Sequence, residues 1–490
     1  MRRVRIAGEG LAFLLALAAF VALVPANASA VTAGPHPSIL IDGDSSFTAL
    51  NGVTGGNGTA ADPYVIDGWN ISDDSQTAIE IRNTRAPFVI RSVTVTGGGG
   101  ADGVALTNVF NGRIESSGFD TRARCIRMDS SGGITVQANN LYNCLVAGVS
   151  VSRSRQVVVR SNLVSGSGEG IVTVSSSDSA LVDNRVIGAF GTGIRSESMS
   201  NLSMLGNFVG YTIYGDGINL VGGTEGNLSG NHLDSNARFG VVVNGFRHLT
   251  VANNTFTSDG LMIHTISYGE IDFDRISADN VVNGLPLLVY HNCASAVIDG
   301  APVGELIIAQ CSRVRVTNVT ITNSDVGILT YAMANSIIEN NQLVGNHGYG
   351  VYLQASSDSI VRGNNVSDNS DTGIYLDTCV SIDISDNALA SNGHGISVWD
   401  TGPLSVRRNV VRNSALGGII ASGVGMVFED NQVIEAGVTI WISMATTLRR
   451  NSFEGGGINF WRDTALTLVD NRFVNGSLFF SEDDDQQAGG

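Results

Sequence analysis

Apolar residues along this chain alternate with polar ones in very short bursts. Gly373-Ile374-Tyr375-Leu376-Asp377 and Ser359-Ile360-Val361-Arg362 are typical. A period of two predicts strands with Ile, Val and Leu on the inward face. Each run lasts three to five residues and is bounded by Gly, Asn, Ser or Asp. No stretch of ten residues beyond Val31 carries a helical stripe.

The bursts keep a beat. An asparagine two residues before an aliphatic or aromatic residue stands at positions 139, 162, 184, 207, 231 and 254. It resumes at 341, 364, 387, 409, 431, 451 and 471. The steps are 23, 22, 23, 24 and 23 residues in the first run, then 23, 23, 22, 22, 20 and 20 in the second. A glycine followed by an apolar residue keeps the same spacing, from Gly103 to Gly240 and again from Gly327 to Gly457. Strands this short, at so strict a period, predict a solenoid in which each repeat is one coil stacked on the last. Successive strands then pair in parallel at about 4.8 Å, and like residues pile into columns. Asparagine suits such a column because it bonds the neighbouring coil and tolerates left-handed backbone. Glycine is expected to allow the sharp corner before the inner strand. The predicted fold is all-β: a single-stranded, right-handed parallel β-helix of about seventeen coils, its hand taken from parallel crossovers.

Two stretches break the beat. Residues 31–76 hold Pro63-Tyr64-Val65-Ile66-Asp67-Gly68-Trp69 and little repeat, which predicts an N-terminal cap over an otherwise open core. Coils are expected over 77–480, with an irregular insertion at 265–311 that carries longer apolar runs. Residues 481–490 read as an acidic, disordered tail. At the other end, Arg2, Arg3 and Arg5 precede 14 apolar residues (11–24) and the site Ala28-Ser29-Ala30. That predicts a signal peptide over 1–30, too short to span a bilayer, and a secreted, cell-surface or periplasmic protein.

Composition narrows the chemistry. The chain of 490 residues has 28 basic residues, all arginine, against 45 acidic ones, for a net charge of −17. A nucleic-acid partner is excluded by that sign, and a lysine base or Schiff base by the absence of lysine. Five cysteines make no even framework. Cys125 with Cys144 and Cys293 with Cys311 are candidate pairs, but buried, unpaired thiols are the favoured expectation.

The entry segment Ile39-Leu40-Ile41-Asp42-Gly43-Asp44, with Gly58-Thr59-Ala60-Ala61-Asp62-Pro63-Tyr64, is followed by the 22–23-residue repeat. Within that repeat lies the stretch from Asn283-Gly284-Leu285-Pro286-Leu287 to Leu306-Ile307-Ile308-Ala309-Gln310-Cys311. Together they resemble the NosD-like secreted β-helix proteins of the pectate-lyase-like group, over nearly all of the mature chain. Such relatives look especially archaeal, and the resemblance implies an exported archaeal protein. It also implies either copper handling, as in the namesake, or polysaccharide binding, cleavage or epimerisation.

Three sets of residues are candidates for function. Counted from the corner glycine, position +4 carries Tyr331, Trp399, Trp441 and Trp461, and position +2 carries Tyr352 and Tyr375. By strand alternation all six face outward, a flat aromatic surface suited to a polysaccharide or to a surface protein. An acidic stripe precedes the corner glycine at Glu169, Asp216, Asp259, Asp325 and Asp371. Stacked carboxylates could hold calcium, although solvated turn residues are the expectation favoured. Met262 with His264, and His291 with Cys293, pair donors that suit copper(I). No catalytic residue is nominated. The expected function is carbohydrate or partner binding without catalysis, with a copper accessory protein or a polysaccharide lyase, hydrolase or epimerase as alternatives.

Overall fold

A computed structural model describes residues 34–73, 75–97, 99–264 and 273–481, together with the backbone of 486–488. The expected signal peptide lies outside the described residues. The chain is an all-β parallel solenoid of about 18 turns. One sheet of 21 strands runs its whole length. Like stacks on like. Val351, Ile374, Ile396, Ile419, Val438 and Ile458 are direct partners on successive coils, all buried. Burial of such columns is the main stabilising term, at roughly 25 cal/mol per Å² of apolar area.

The asparagines form two continuous ladders, 139 to 280 and 341 to 471. Asn280, off the beat in sequence, completes the first. In each step the Oδ1 of one asparagine accepts both the backbone N–H and the side-chain N–H of the asparagine one coil earlier, as Asn231 does from Asn207. The residue before each ladder asparagine except Asn280 carries the left-handed turn, with φ between 52° and 67°. Left-handed backbone therefore sits one position earlier than expected, and the asparagine repairs the hydrogen bonding that the corner interrupts. The periodic glycine is not needed for a positive φ. A Cβ on Gly170 would lie 2.3 Å from the Gly193 carbonyl, so its role is close approach between coils.

At the N-terminal end, two 3₁₀ turns, Asp44–Ser46 and Ala49–Asn51, and an antiparallel bridge between Gly55 and Val65 depart from the coil pattern. Phe47 stacks on Tyr64 at 4.4 Å, and the Trp69 indole donates to the Gly52 carbonyl. Just beyond, Arg122 is wholly buried, and its guanidinium donates to the carbonyls of Asp73, Gln76, Gly97 and Asp102. The favoured expectation for the cysteines does not hold. Cys125 is bonded to Cys144 and Cys293 to Cys311, leaving Cys379 as a buried free thiol. Within the stretch expected to be a frayed tail, the backbone of Gln486–Ala488 pairs in parallel with Leu466–Leu468.

Among the described residues, the coils are interrupted by one strand reversal. Strand Val281–Val282 continues the first set of coils in parallel, then pairs antiparallel with Leu285–His291. All later strands of that sheet follow the reversed direction. A solenoid that keeps its hand and its direction of climb, yet reverses its strands within a shared sheet, must wrap around the opposite face of that sheet. The packing shows this. Leu306, Ile308, Ile328 and Val351 enter the second core, while Ile307, Ala309, Leu329, Tyr331 and Tyr352 extend the first. Glu305–Ala309 and Val326–Tyr331 are consequently buried on both faces.

Candidate functional site

The reversal divides the six expected outward aromatics. Tyr331 and Tyr352 do point away from the second core, but the end of the first solenoid covers them, leaving 5% and 2% exposed. Tyr331 stacks on Phe273, and Tyr352 packs against Tyr349 and the His264 ring. Tyr375 is half-buried beside them, and burial pushes its hydroxyl up to about 12. These three tyrosines belong to the contact between the solenoids.

Trp399, Trp441 and Trp461 lie beyond that contact and remain partly exposed. Trp441 and Trp461 are direct register partners with ring centroids 5.1 Å apart. Trp399 lies two coils earlier, across a register shift between Val398 and Thr401, and reaches over Ser422 to stand 5.7 Å from Trp441. The rings are tilted by 58° and 72° to one another instead of lying flat. They form one wall of a groove of about 510 Å³. Val424, Ile442 and Met444, each more than half exposed, contribute apolar surface to it, and Asp400, Ser422 and Arg462 contribute polar groups. The Arg462 guanidinium covers the Trp461 ring at 5.0 Å. The Trp441 Nε1 is buried without a hydrogen-bond partner. A staircase of indoles with a polar, charged rim can stack the C–H faces of sugars while the rim bonds their hydroxyls.

The copper(I) residues do not assemble. Met262 is fully buried in the first core, and the Cys293 sulfur is in a disulfide. His291 uses both ring nitrogens, Nδ1 at 2.7 Å from Asp274 and Nε2 at 2.8 Å from Gln310. His264 packs edge-on against Tyr352, and burial lowers its pKa. That donor set does not fit copper(I), which needs free sulfur or imidazole lone pairs directed at one point.

The acidic stripe holds what sequence reasoning undervalued. Glu169 pairs with Arg195. Asp216, Asp259 and Asp325 are buried instead of solvated. Asp259 and Asp325, 66 positions apart, meet across the solenoid junction beside His347 and Glu305. Burial pushes the Asp259 and Glu305 carboxyls up to about 8. Burial, with the charges of Asp259 and Glu305, raises Asp325 as well. Burial also lowers the His347 pKa. His347 was not singled out from sequence. Its only signal was its place two residues before the Tyr349–Gln354 strand, on the coil after Asp325.

Fold and groove together define a parallel β-helix protein. Residues 296–433 match the family model described as right handed beta helix region. Residues 86–264 match that of the periplasmic copper-binding protein NosD, so the first solenoid is NosD-like. No curated protein matches the chain in sequence. Among solved structures, the periplasmic alginate epimerase AlgG is 11% identical, with 88% of this chain and 91% of that one covered and a TM-score of 0.26. The Streptococcus pneumoniae surface protein and adhesin PfbA is 11% identical, covering 85% and 92%, with a TM-score of 0.24. A Thermotoga maritima exopolygalacturonase is 11% identical, covering 59% and 70%, with a TM-score of 0.27. No helix among the described residues is long and apolar enough to cross a membrane.

Proposed function

We propose that this is an exported carbohydrate-binding β-helix that holds a polysaccharide in its C-terminal groove. The observation that carries the reading is the partly exposed series Trp399, Trp441 and Trp461, with ring centroids 5.7 and 5.1 Å apart. Indole faces recognise the apolar faces of pyranose rings, and successive rings at the coil repeat suit successive sugars of one chain. Asp400, Ser422 and Arg462 supply hydroxyl recognition at the rim. The mature protein on a glycan array tests this. Retention of at least one polysaccharide is expected, and it should disappear in the double variant Trp441→Ala/Trp461→Ala with an unchanged far-ultraviolet spectrum. Equal retention by the variant would sink the reading, and so would a blank array.

A copper role has one observation in its favour, the NosD match over residues 86–264. Against it stands the scatter of the sulfur and imidazole donors described above.

A further inference from the structure

We propose that Asp259, Asp325 and His347 bind one divalent transition-metal ion, zinc or manganese, and that the ion clasps the two solenoids to each other. One ligand atom from each residue lies within 4.8 Å of the other two. Each residue is already held from behind. Asp259 ends a short polar ladder, its two oxygens accepting the Asn236 N–H at 3.1 Å and the Asn236 side-chain N–H at 2.8 Å. Asp325 comes from the second solenoid, and its Oδ2 accepts the Gly240 N–H at 2.7 Å. The His347 ring bonds the Arg238 backbone. Its Nδ1 is buried with no hydrogen-bond partner.

A buried acidic group alone would not make a metal site. The deciding feature is Asp325 Oδ1. Its residue is fully buried, the atom has no hydrogen-bond partner, and it lies 3.9 Å from the equally unpartnered His347 Nδ1. Asp259 Oδ1 is 4.0 Å from that nitrogen. Orphaned buried polar atoms are costly, and here two converge on one point with a second carboxylate. An ion bonded at about 2.0–2.2 Å would draw all three slightly inward. Two carboxylates and one imidazole match the charge and the donor preference of zinc or manganese. Calcium takes oxygen ligands, and the His347 imidazole nitrogen does not suit it. The His347 side chain, 25% exposed, leaves a way in for the ion.

The surrounding backbone is built for close approach. A Cβ on Gly260 would stand 2.0 Å from Glu305 Oε2 and 2.8 Å from the Asp325 nitrogen. Glu305 takes the Leu261 N–H and the Ser324 hydroxyl, tying the same two solenoids beside the cluster.

The test uses the full mature chain, stripped with a chelator and titrated with zinc chloride and with manganese chloride. Calorimetry is expected to give one ion per chain, with a rise in melting temperature. Pulsed electron paramagnetic resonance of the manganese form should show one directly bound nitrogen. His347→Gln should lose the nitrogen coupling and weaken binding at least tenfold, and Asp325→Asn should abolish binding. If Asp325→Asn does not fold, the partly exposed position 347 decides alone. Binding of no ion would overturn the proposal. So would undiminished binding in His347→Gln, which would mark ordinary attraction of cations to an acidic surface.

Discussion

Replacing Asn207 by alanine tests the ladder that sets the coil geometry. Asn207 is fully buried in the middle of the first ladder and makes four side-chain hydrogen bonds. Its Nδ2 donates to the Leu181 carbonyl at 2.8 Å and to Asn231 Oδ1 at 2.9 Å. Its Oδ1 accepts the Asn184 N–H and the Asn184 side-chain N–H, both at 3.0 Å. Alanine does not strand all of these partners. The Asn184 side chain keeps the Val159 carbonyl, and Asn231 Oδ1 keeps the backbone N–H of residue 207. The Asn184 N–H loses its partner and the Leu181 carbonyl loses a donor. Each such loss costs about 1–3 kcal/mol, so the change should cost about 3–4 kcal/mol. The same substitution at Asn471, the partly exposed last rung, lets water replace the lost bonds and should cost about 1 kcal/mol. Denaturant unfolding gives the two costs. Amide hydrogen exchange adds a local readout, because the residue 184 amide should lose protection in Asn207→Ala alone. Equal costs at both positions, with that amide still protected, would refute the reasoning.

Other substitutions probe other parts of the molecule. Arg122→Met should remove a donor from four carbonyls near the N-terminal end, of which, among the described residues, only Asp102 keeps another, the Ala78 N–H, at about 3 kcal/mol, and should speed proteolysis around residues 73–102. Gly170→Ala drives a Cβ to 2.3 Å from the Gly193 carbonyl; about 1–3 kcal/mol of lost stability is expected by chemical denaturation. The Asp73 carboxyl is held down to about 2 by the Ser75 N–H and the hydroxyls of Ser38 and Ser75. Its folded pKa lies below the ordinary 3.8, so its stabilisation is present above about pH 4 and is lost as pH falls through about 2. Trp69 fluorescence, with the three C-terminal tryptophans changed to phenylalanine, should report an acid transition in that window, and Asp73→Asn should remove it.

The repeat was legible because a solenoid writes its geometry into the sequence. Each coil repeats one environment, so Asn162 and Asn184 recur where the same corner recurs, and Val164 recurs with Val186. The column holding Trp441 and Trp461 could be counted for the same reason. The burial of Tyr331 and Tyr352 could not. Strand alternation separates two faces of a sheet but does not say what covers the outer one. Here the cover is a separate solenoid, delivered by a reversal of two residue pairs, Val281 with Pro286 and Val282 with Leu285. Asp259 and Asp325 were visible as members of a stripe, yet their meeting depended on that same reversal. The cysteines failed for a different reason. An odd total argues against a complete framework, but four of the five are close enough in the coil to pair regardless of the fifth.

The reversal has a physical consequence that links the architecture to both sites. An uninterrupted solenoid keeps one face of every sheet in water, and its outer columns are free to carry groove residues. Where the core changes sides, a few strands lose both faces to the interior, and polar residues placed for solvent become buried. In the covered strands, the stacked residues Ile307, Leu329 and Tyr352 are apolar and meet this demand directly. Asp259, Asp325 and Glu305 do not meet it, and their carboxyls are instead held by backbone N–H groups and a serine. Hydrophobic substitutes of similar volume would stabilise such a junction at least as well as buried acids. The ion proposed above would give Asp259, Asp325 and His347 a shared partner at the junction. The tryptophan groove, several coils beyond the covered strands, needs no such partner, because there the sheet again has water on its outer side.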